Sequence, residues 1–342
     1  MSSVMGVNGL ISEAQLGLTL PHEHLFTNLS CYWSGEPEKE SLKDHFAQKV
    51  IDSPRQEVLQ FPWNFKDNTI LDDVSNAIYE ADAFLRAGGR TIVDMSPYSR
   101  MGRNPEGLRK VALETGANVI MSAGRYSEPT MDEAEKQKSV TELAQEFLNE
   151  FVNGAAGTNI YPGILKVAFV DKINKGSEIR SLRAAGRVQN KVGCALSIHP
   201  HIWQADSHLI LDILAEESCD LHRVILCHQD FLGKRMEYLN SLVERGVFIE
   251  FDTFGSGLIN DRMWQLTESQ KIESVKKQIE MGNECHMLIS GDMCLKIMFA
   301  KWGGNGLANI PANTLPAMRQ AGISEDSIQT MVIENPQKAL CY

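Results

Sequence analysis

The chain has 342 residues, 43% hydrophobic and 23% charged, proportions of an ordinary globular protein long enough to fold without disulfide or metal staples. Lys and Arg total 33 against 44 Asp and Glu, a formal net charge of −11 with no basic tract, which argues against nucleic acid or an anionic membrane as partner. No apolar run reaches the roughly 18–20 residues of a membrane span. Met1 to Leu10 lack the basic start and apolar stretch of a signal peptide, and seven cysteines without a CxxC pair fit reduced thiols in a cytoplasm.

Along the chain, short β-rich runs alternate with longer amphipathic segments. The runs are Gly17–Leu25, Thr91–Ser96, Asn118–Ala123, Gly163–Phe169, Cys194–His199, Arg223–His228, Val247–Asp252 and Met287–Asp292. Helical patterns lie between most of them, at Ile70–Ala87, Asn104–Thr115, Met131–Phe151, Glu178–Val192, Ala205–Glu217, Met236–Arg245 and Gln270–Gly282. Strand–helix alternation predicts a parallel sheet with crossover connections, and eight units predict a closed (β/α)8 barrel, one domain spanning 1–342. The alternative is an open doubly wound sheet, but no GxGxxG follows any strand. Residues 31–69 fit neither period. They are rich in charge, proline and aromatics, and read as an insertion after the first strand: a lid, a homodimer contact or a plain surface excursion. Thr314–Leu340 predicts two further helical segments packed outside the barrel.

Catalytic groups of such barrels sit at the C-terminal ends of the strands. The first strand ends in Pro21-His22-Glu23-His24, the fourth carries Lys166, the fifth ends at His199, the sixth at His228 and the eighth at Asp292. Side chains i and i+2 of a strand share a face, so His22 and His24 project together, about 7 Å apart at the backbone, while Glu23 points away. An HxH pair alone is weak evidence, because packed or surface histidines are common. Lys166 is sharper, since a lysine between apolar residues on a central strand needs a reason. It could pair with an inward carboxylate such as Asp94, Glu250 or Asp292, or serve as a Schiff-base nucleophile. It could also be carboxylated by CO2 into an anion that bridges two metals. Histidines at the neighbouring strand ends favour the last of these. Asp292 can ligate a metal and accept a proton, or merely cap the next helix. Cys227 and Cys294 lie beside these positions and read as core or rim cysteines, Cys227 alternating outward from His228.

The ordered set His22-x-His24, Lys166, His199, His228, Asp292 resembles the binuclear metal site of the phosphotriesterase family, within the amidohydrolase superfamily of barrels. Gly17-Leu18-Thr19-Leu20-Pro21-His22-Glu23-His24 is similar to that family's opening signature, and Gly163-Ile164-Leu165-Lys166-Val167-Ala168 to its bridging-lysine strand. The resemblance implies two divalent cations, zinc first and manganese or cobalt as alternatives, with CO2 as the source of an N6-carboxylated Lys166. It places His22, His24, Asp292 and Lys166 on the more buried metal, and His199, His228 and Lys166 on the more exposed one. It also implies that a water bridging the cations attacks the substrate and that Asp292 takes the proton. Ester hydrolysis follows, of a carboxylic ester or lactone first and an organophosphate triester as the alternative. A catalytically silent metal-binding barrel is the reading from another class. Tyr126 stands where family members often place a pocket aromatic. Arg125 beside it is a candidate to grip an anionic substrate group, as are Arg100 and Arg103, which follow strand 2 with Tyr98, Lys234 and Arg235 after strand 6, and Arg262 after strand 7, the alternative for each being a solvated loop charge; His201 and Trp203 are candidate substrate contacts or loop-packing residues.

Overall fold

In a computed structural model, which describes residues 2–34, 43, 46–170, 176–258 and 266–342, every predicted run forms a strand. They are β1 (Thr19–Glu23), β2 (Thr91–Asp94), β3 (Asn118–Arg125), β4 (Ile164–Phe169), β5 (Ala195–Pro200), β6 (Val224–Leu226), β7 (Phe248–Phe251) and β8 (Met287–Ile289). All are parallel and each pairs with the next in chain order, as Leu165 with Leu196 and Leu226 with Ile249. This is the expected (β/α)8 barrel. Between β8 and β1 it closes through side chains: Ser290 Oγ donates to the His22 carbonyl (2.8 Å) and accepts from the His22 amide (3.1 Å). The Glu23 carboxylate accepts from the amides of Gly291 and Met293, both at 2.9 Å.

Period-two alternation sorts each strand into an outward set packed on the helices and an inward set. Val93, Ile120, Ile164, Ala195, Ile225, Phe248 and Leu288 share one buried cluster with Val4, Ile11 and Leu16 near the N-terminus. Two or four residues on, the same inward columns turn polar: Lys166 after Ile164, Ser197 and His199 after Ala195, Cys227 after Ile225, Glu250 and Asp252 after Phe248, Asp292 after Leu288. The barrel is therefore apolar at one end and chemically equipped at the other.

Two predicted helices change their boundaries for local reasons. The helix expected from Ile70 begins at Val74, because Ile70–Leu71 pairs with Thr27–Asn28 and Asp73 accepts from the Ser75 and Asn76 amides as N-cap. Met131–Phe151 divides into Glu133–Gln137 and Val140–Asn153, since Ser139 and Glu142 form a capping box that starts a new helix. The described part of the 31–69 insertion is packed rather than loose. Val58 and Phe65 are fully buried, and the Ile297 amide donates to Asn68 Oδ1 (2.9 Å), so the segment is stitched to the loop after β8. The final stretch holds the two expected helical segments, Ile310–Gln320 and Glu325–Leu340, each containing one turn of π-helix. No helix among the described residues is long and apolar enough to cross a membrane.

Candidate active site

The floor of the site is built from strand ends. His22 Nε2 lies 3.7 Å and His24 Nε2 3.3 Å from Asp292 Oδ1, so β1 and β8 deliver three metal-competent groups to one point. His199 Nδ1 lies 2.6 Å from His228 Nε2, bringing β5 and β6 together as well. Lys166 is 1% exposed. Its Nζ donates to Ser197 Oγ (3.2 Å) and Cys227 Sγ (3.0 Å), and it forms no ion pair with any described residue. The alternative of a salt bridge to Asp94, Glu250 or Asp292 is not realised at ion-pair distance, although the Lys166 charge helps His22 to offset the rise that burial gives the Glu250 carboxyl. All six expected ligands face one region.

Two left-handed backbones bring this about. His228 has φ +58° and Asp292 φ +45°, a conformation non-glycine residues seldom adopt and which concentrates at functional sites. Cys227 follows Ile225 in the inward column, and the turn at His228 swings that imidazole inward as well. The expectation that Cys227 points outward is therefore corrected: alternation from His228 misled because the strand ends before it. Glu23, which points away from the face of His22 and His24, ties the loop carrying Asp292 to β1, and burial raises its carboxyl to about 8.

A second layer sets the imidazoles. Ser96 Oγ donates to the Phe26 carbonyl (2.6 Å) and so has no further proton to give; it accepts from His24 Nδ1 (2.9 Å), which leaves a lone pair on Nε2. Asp252 bridges two rings, with Oδ2 2.8 Å from His22 Nδ1 and Oδ1 2.8 Å from His228 Nδ1. Such carboxylate–imidazole contacts aim the other ring nitrogen at a metal. Burial and Lys166 push the His22 imidazole toward neutrality, but Cys227, Asp292 and Asp252 outweigh them and hold it well above its ordinary range. Burial, His228 and Lys166 push His199 well below. Burial opposes the charge on Asp292, yet His22, His24 and His228 keep its carboxyl low. Glu250 Oε1 has no hydrogen-bond partner although wholly buried. A set of anionic oxygens and imidazole nitrogens facing one another, held together by shared protons, fits divalent cations that would replace those protons.

Sequence reasoning passed over Asp252 and Ser96. Asp252 had a signal: it shares the inward parity of Glu250 at the end of β7. It also passed over Lys271, 1% exposed, whose Nζ donates to the Thr253 carbonyl (2.6 Å) and fixes the chain just after Asp252. Nothing in the pattern around Lys271 marks that contact.

Above the floor opens a cavity of about 550 Å3. Leu29, Tyr32, Trp63, Met101, Tyr126, Ile202, Trp203, Phe231, Leu258, Leu295 and Met298 line it, together with His201, Ser34, Thr253 and Ser256. Tyr126 lies in this lining, with its hydroxyl 3.0 Å from His199 Nδ1. Arg125 is not: its guanidinium pairs with Glu146 (2.8 Å) and Glu135 (3.3 Å) and lies over the Tyr98 ring, away from the cavity, because residues 125 and 126 face opposite sides as the strand ends. Arg100 pairs with Asp132 and Glu135, and Arg103 with Glu150 (2.6 Å). Lys234 and Arg235 are exposed and do not line the cavity. Arg262 lies outside the described residues. No Lys or Arg appears among the described lining residues.

The sequence profile of the phosphotriesterase family matches residues 2–340. The chain belongs to that family. It is a hydrolase by that membership and by its relatives. It is 30% identical to the N-acetyltaurine hydrolase of Xenopus tropicalis and 28% to that of Homo sapiens, in each case over 100% of both chains. Among solved structures, a resiniferatoxin-binding protein from Rhodobacter sphaeroides superposes with a TM-score of 0.93 at 31% identity, covering 99% of this chain and 94% of that one. The lactonase Lmo2620 from Listeria monocytogenes shares the fold at 20% identity and a TM-score of 0.81, covering 99% of each chain.

Proposed function

We propose that this member of the family is a metal-dependent acyl hydrolase that cleaves a carboxylic ester or lactone carrying a sizeable apolar group. The observation that carries the reading is the pairing of a metal-competent floor with a described lining of aromatic and aliphatic side chains free of Lys and Arg. His22, His24, Asp292 and a carboxylated Lys166 would hold one cation, and His199, His228 and Lys166 a second. Bound divalent cations, zinc first among them, supply Lewis acidity and a water that ionises near neutral pH. Lys166 supports this assignment because a buried ammonium without a carboxylate is unfavourable, whereas its CO2 adduct is an anion among cations. Asp292, on the floor at 19% exposure, accepts the proton of the attacking water and returns it to the leaving group. Tyr126, beside His199, contacts the substrate, and Trp63, Phe231 and Met298 hold its apolar body and exclude water. Seven free cysteines accord with a reducing cytoplasm as the place of action.

A second reading, hydrolysis of an N-acyl amide, is favoured by the full-length likeness to proteins named N-acetyltaurine hydrolase. A strongly anionic substrate would need a cation that the described lining lacks; Lys172, Lys175 and Arg262 fall outside the described residues. Protein loaded with zinc, manganese or cobalt should be assayed on aryl acetates, lactones, N-acetyl amino sulfonates and aryl phosphotriesters. Highest kcat/KM on an ester or lactone is expected. Turnover confined to the amide would establish the second reading, and turnover confined to phosphotriesters, or none in protein carrying two metals per chain, would overturn both.

A further inference from the structure

The N-terminal end of the barrel carries a concavity that the proposed hydrolysis leaves unused. It measures about 400 Å3, within the range of small-molecule sites, and shares no lining residue with the cavity at the opposite end. The turns that lead into β6, β7 and β8 build it together with the last helix, and its titratable members are Asp220, His222, Arg223, Cys285, His286 and Lys338. In a chain of net charge −11, a pocket with a guanidinium, an ammonium, two imidazoles and a single carboxylate reverses the prevailing sign.

These basic groups are held in place but not used up. Asp220 Oδ1 accepts from the His222 amide (3.0 Å) and so fixes the turn that presents the ring. Gly246, at φ +86°, makes room for that ring, since a Cβ there would lie 2.5 Å from His222 Nδ1 and Cε1. Arg223 gives Nη1 to the Cys341 carbonyl (2.6 Å) and keeps Nε 3.8 Å from Asp220, which leaves Nη2 without a partner among the described residues. Lys338 is exposed. His286 Nδ1 lies 3.2 Å from the Val247 carbonyl, which can only accept, so the neutral ring carries its proton there and has a lone pair on Nε2. Burial, His222 and Lys338 hold this imidazole below its ordinary range. An anion among the three would remove that opposition.

We propose that His222, Arg223, His286 and Lys338 form a binding site for the phosphate group of a small molecule, separate from the hydrolytic centre. Phosphate offers several strong acceptor oxygens, and the planar Arg223 fork suits it. Catalysis in this fold belongs to the other face, so the ligand is bound and not turned over.

The test follows the ring-proton NMR signals of His222 and His286 in the full-length protein, assigned with His222→Gln and His286→Gln. Inorganic phosphate or phenyl phosphate replaces chloride at constant ionic strength. Both signals should shift saturably, and His286 should titrate at higher pH in phosphate than in chloride. Half-saturation should rise about tenfold in Arg223→Gln, the loss of one charge-assisted contact, and less steeply in Lys338→Gln. Lys338 is a surface residue, so its variant answers for any folding defect in the other. Cys285 gives an independent reading, because phosphate should protect it from iodoacetate in Cys31→Ser protein. Tighter binding of phenyl phosphate assigns a monoester to the site, and tighter binding of inorganic phosphate assigns the free ion. Signals that move no more than in chloride, or that saturate alike in the wild type and both variants, would overturn the proposal. Both signals arise at the N-terminal end, so phosphate held at the C-terminal end does not enter the reading.

Discussion

The two ends of the barrel both gather histidines, but their surroundings assign them opposite roles. At the C-terminal end, His22, His24 and His228 face the carboxylates of Asp252 and Asp292. At the N-terminal end, His222 and His286 line a cavity of about 400 Å3 with Arg223, Lys338 and a single carboxylate, Asp220. There burial, His222 and Lys338 push the His286 imidazole below its ordinary range. At the first end carboxylates face the imidazoles and could share a cation with them; at the second, basic neighbours keep the His286 imidazole neutral. The residue type is the same, and the neighbours decide.

Substitutions can break this contrast, beginning with the largest effect. Lys166→Ala should take activity below detection and reduce metal content from about two per chain, with propionate or formate restoring part of both. A variant that keeps its metals and turnover would free Lys166 from any bridging role. Next, Asp292→Asn keeps the shape of the floor but removes the proton acceptor. We expect kcat to fall by ~10²–10⁴, the usual worth of positioned acid–base catalysis, with metal retained on elemental assay. Near-normal kcat would transfer the proton to another group.

The cavity wall should respond more gently. Trp63→Ala removes an aromatic side of the pocket and should raise KM about tenfold, within the ~1–3 kcal/mol a hydrophobic pocket contact can contribute, leaving kcat within about twofold; a collapse of kcat would make Trp63 part of the chemistry. Arg125→Met tests the displaced cation. Its loss should cost about 1 kcal/mol of stability, because Glu146 and Glu135 lose one ion pair each but keep Lys138 and Arg100 as partners, with KM unchanged for charged and neutral substrates alike. At the other end of the barrel, the smallest effect belongs to His286. Its folded-state pKa lies below the unfolded value near 6.5, so the unfolded chain takes the proton first and stability present above pH 6.5 is lost as pH falls below it. His286→Gln should flatten that acid limb in denaturant titrations, and an unchanged slope would locate the acid sensitivity elsewhere.

The same contrast explains how far the sequence could be read. Eight strands and the metal-competent ends of five were visible because periodicity acts over a few residues and needs only neighbours in the chain. His199 and Lys166 sit where alternation puts them. His228 did not obey it, because the strand stops at Leu226 and His228 turns into the left-handed region, so that Cys227, which did, takes the inward place beside it. Arg125 misled for a related reason: its charge is visible in sequence, but Glu135 and Glu146, which take it up, approach from the helices that follow. The pocket wall was the least legible part. Trp63 and Tyr32 reach the cavity from the described part of the 31–69 segment, which is held by contacts such as Asn68 with Ile297, over two hundred residues away.

The seam between β8 and β1 has a consequence for how the protein comes into being. Glu23 and Gly291 are separated by 268 residues, as are His22 and Ser290, so the first residues of the candidate site to leave the ribosome are among the last to be held in place. A chain synthesised through β7 holds His22, His24, Lys166, His199 and His228, yet lacks both Asp292 and the clasp that orients it. Long-range closure of this kind comes late in assembly. On the function proposed above, hydrolysis reports a finished barrel, and a chain released early would carry most of the proposed ligands without the proposed base.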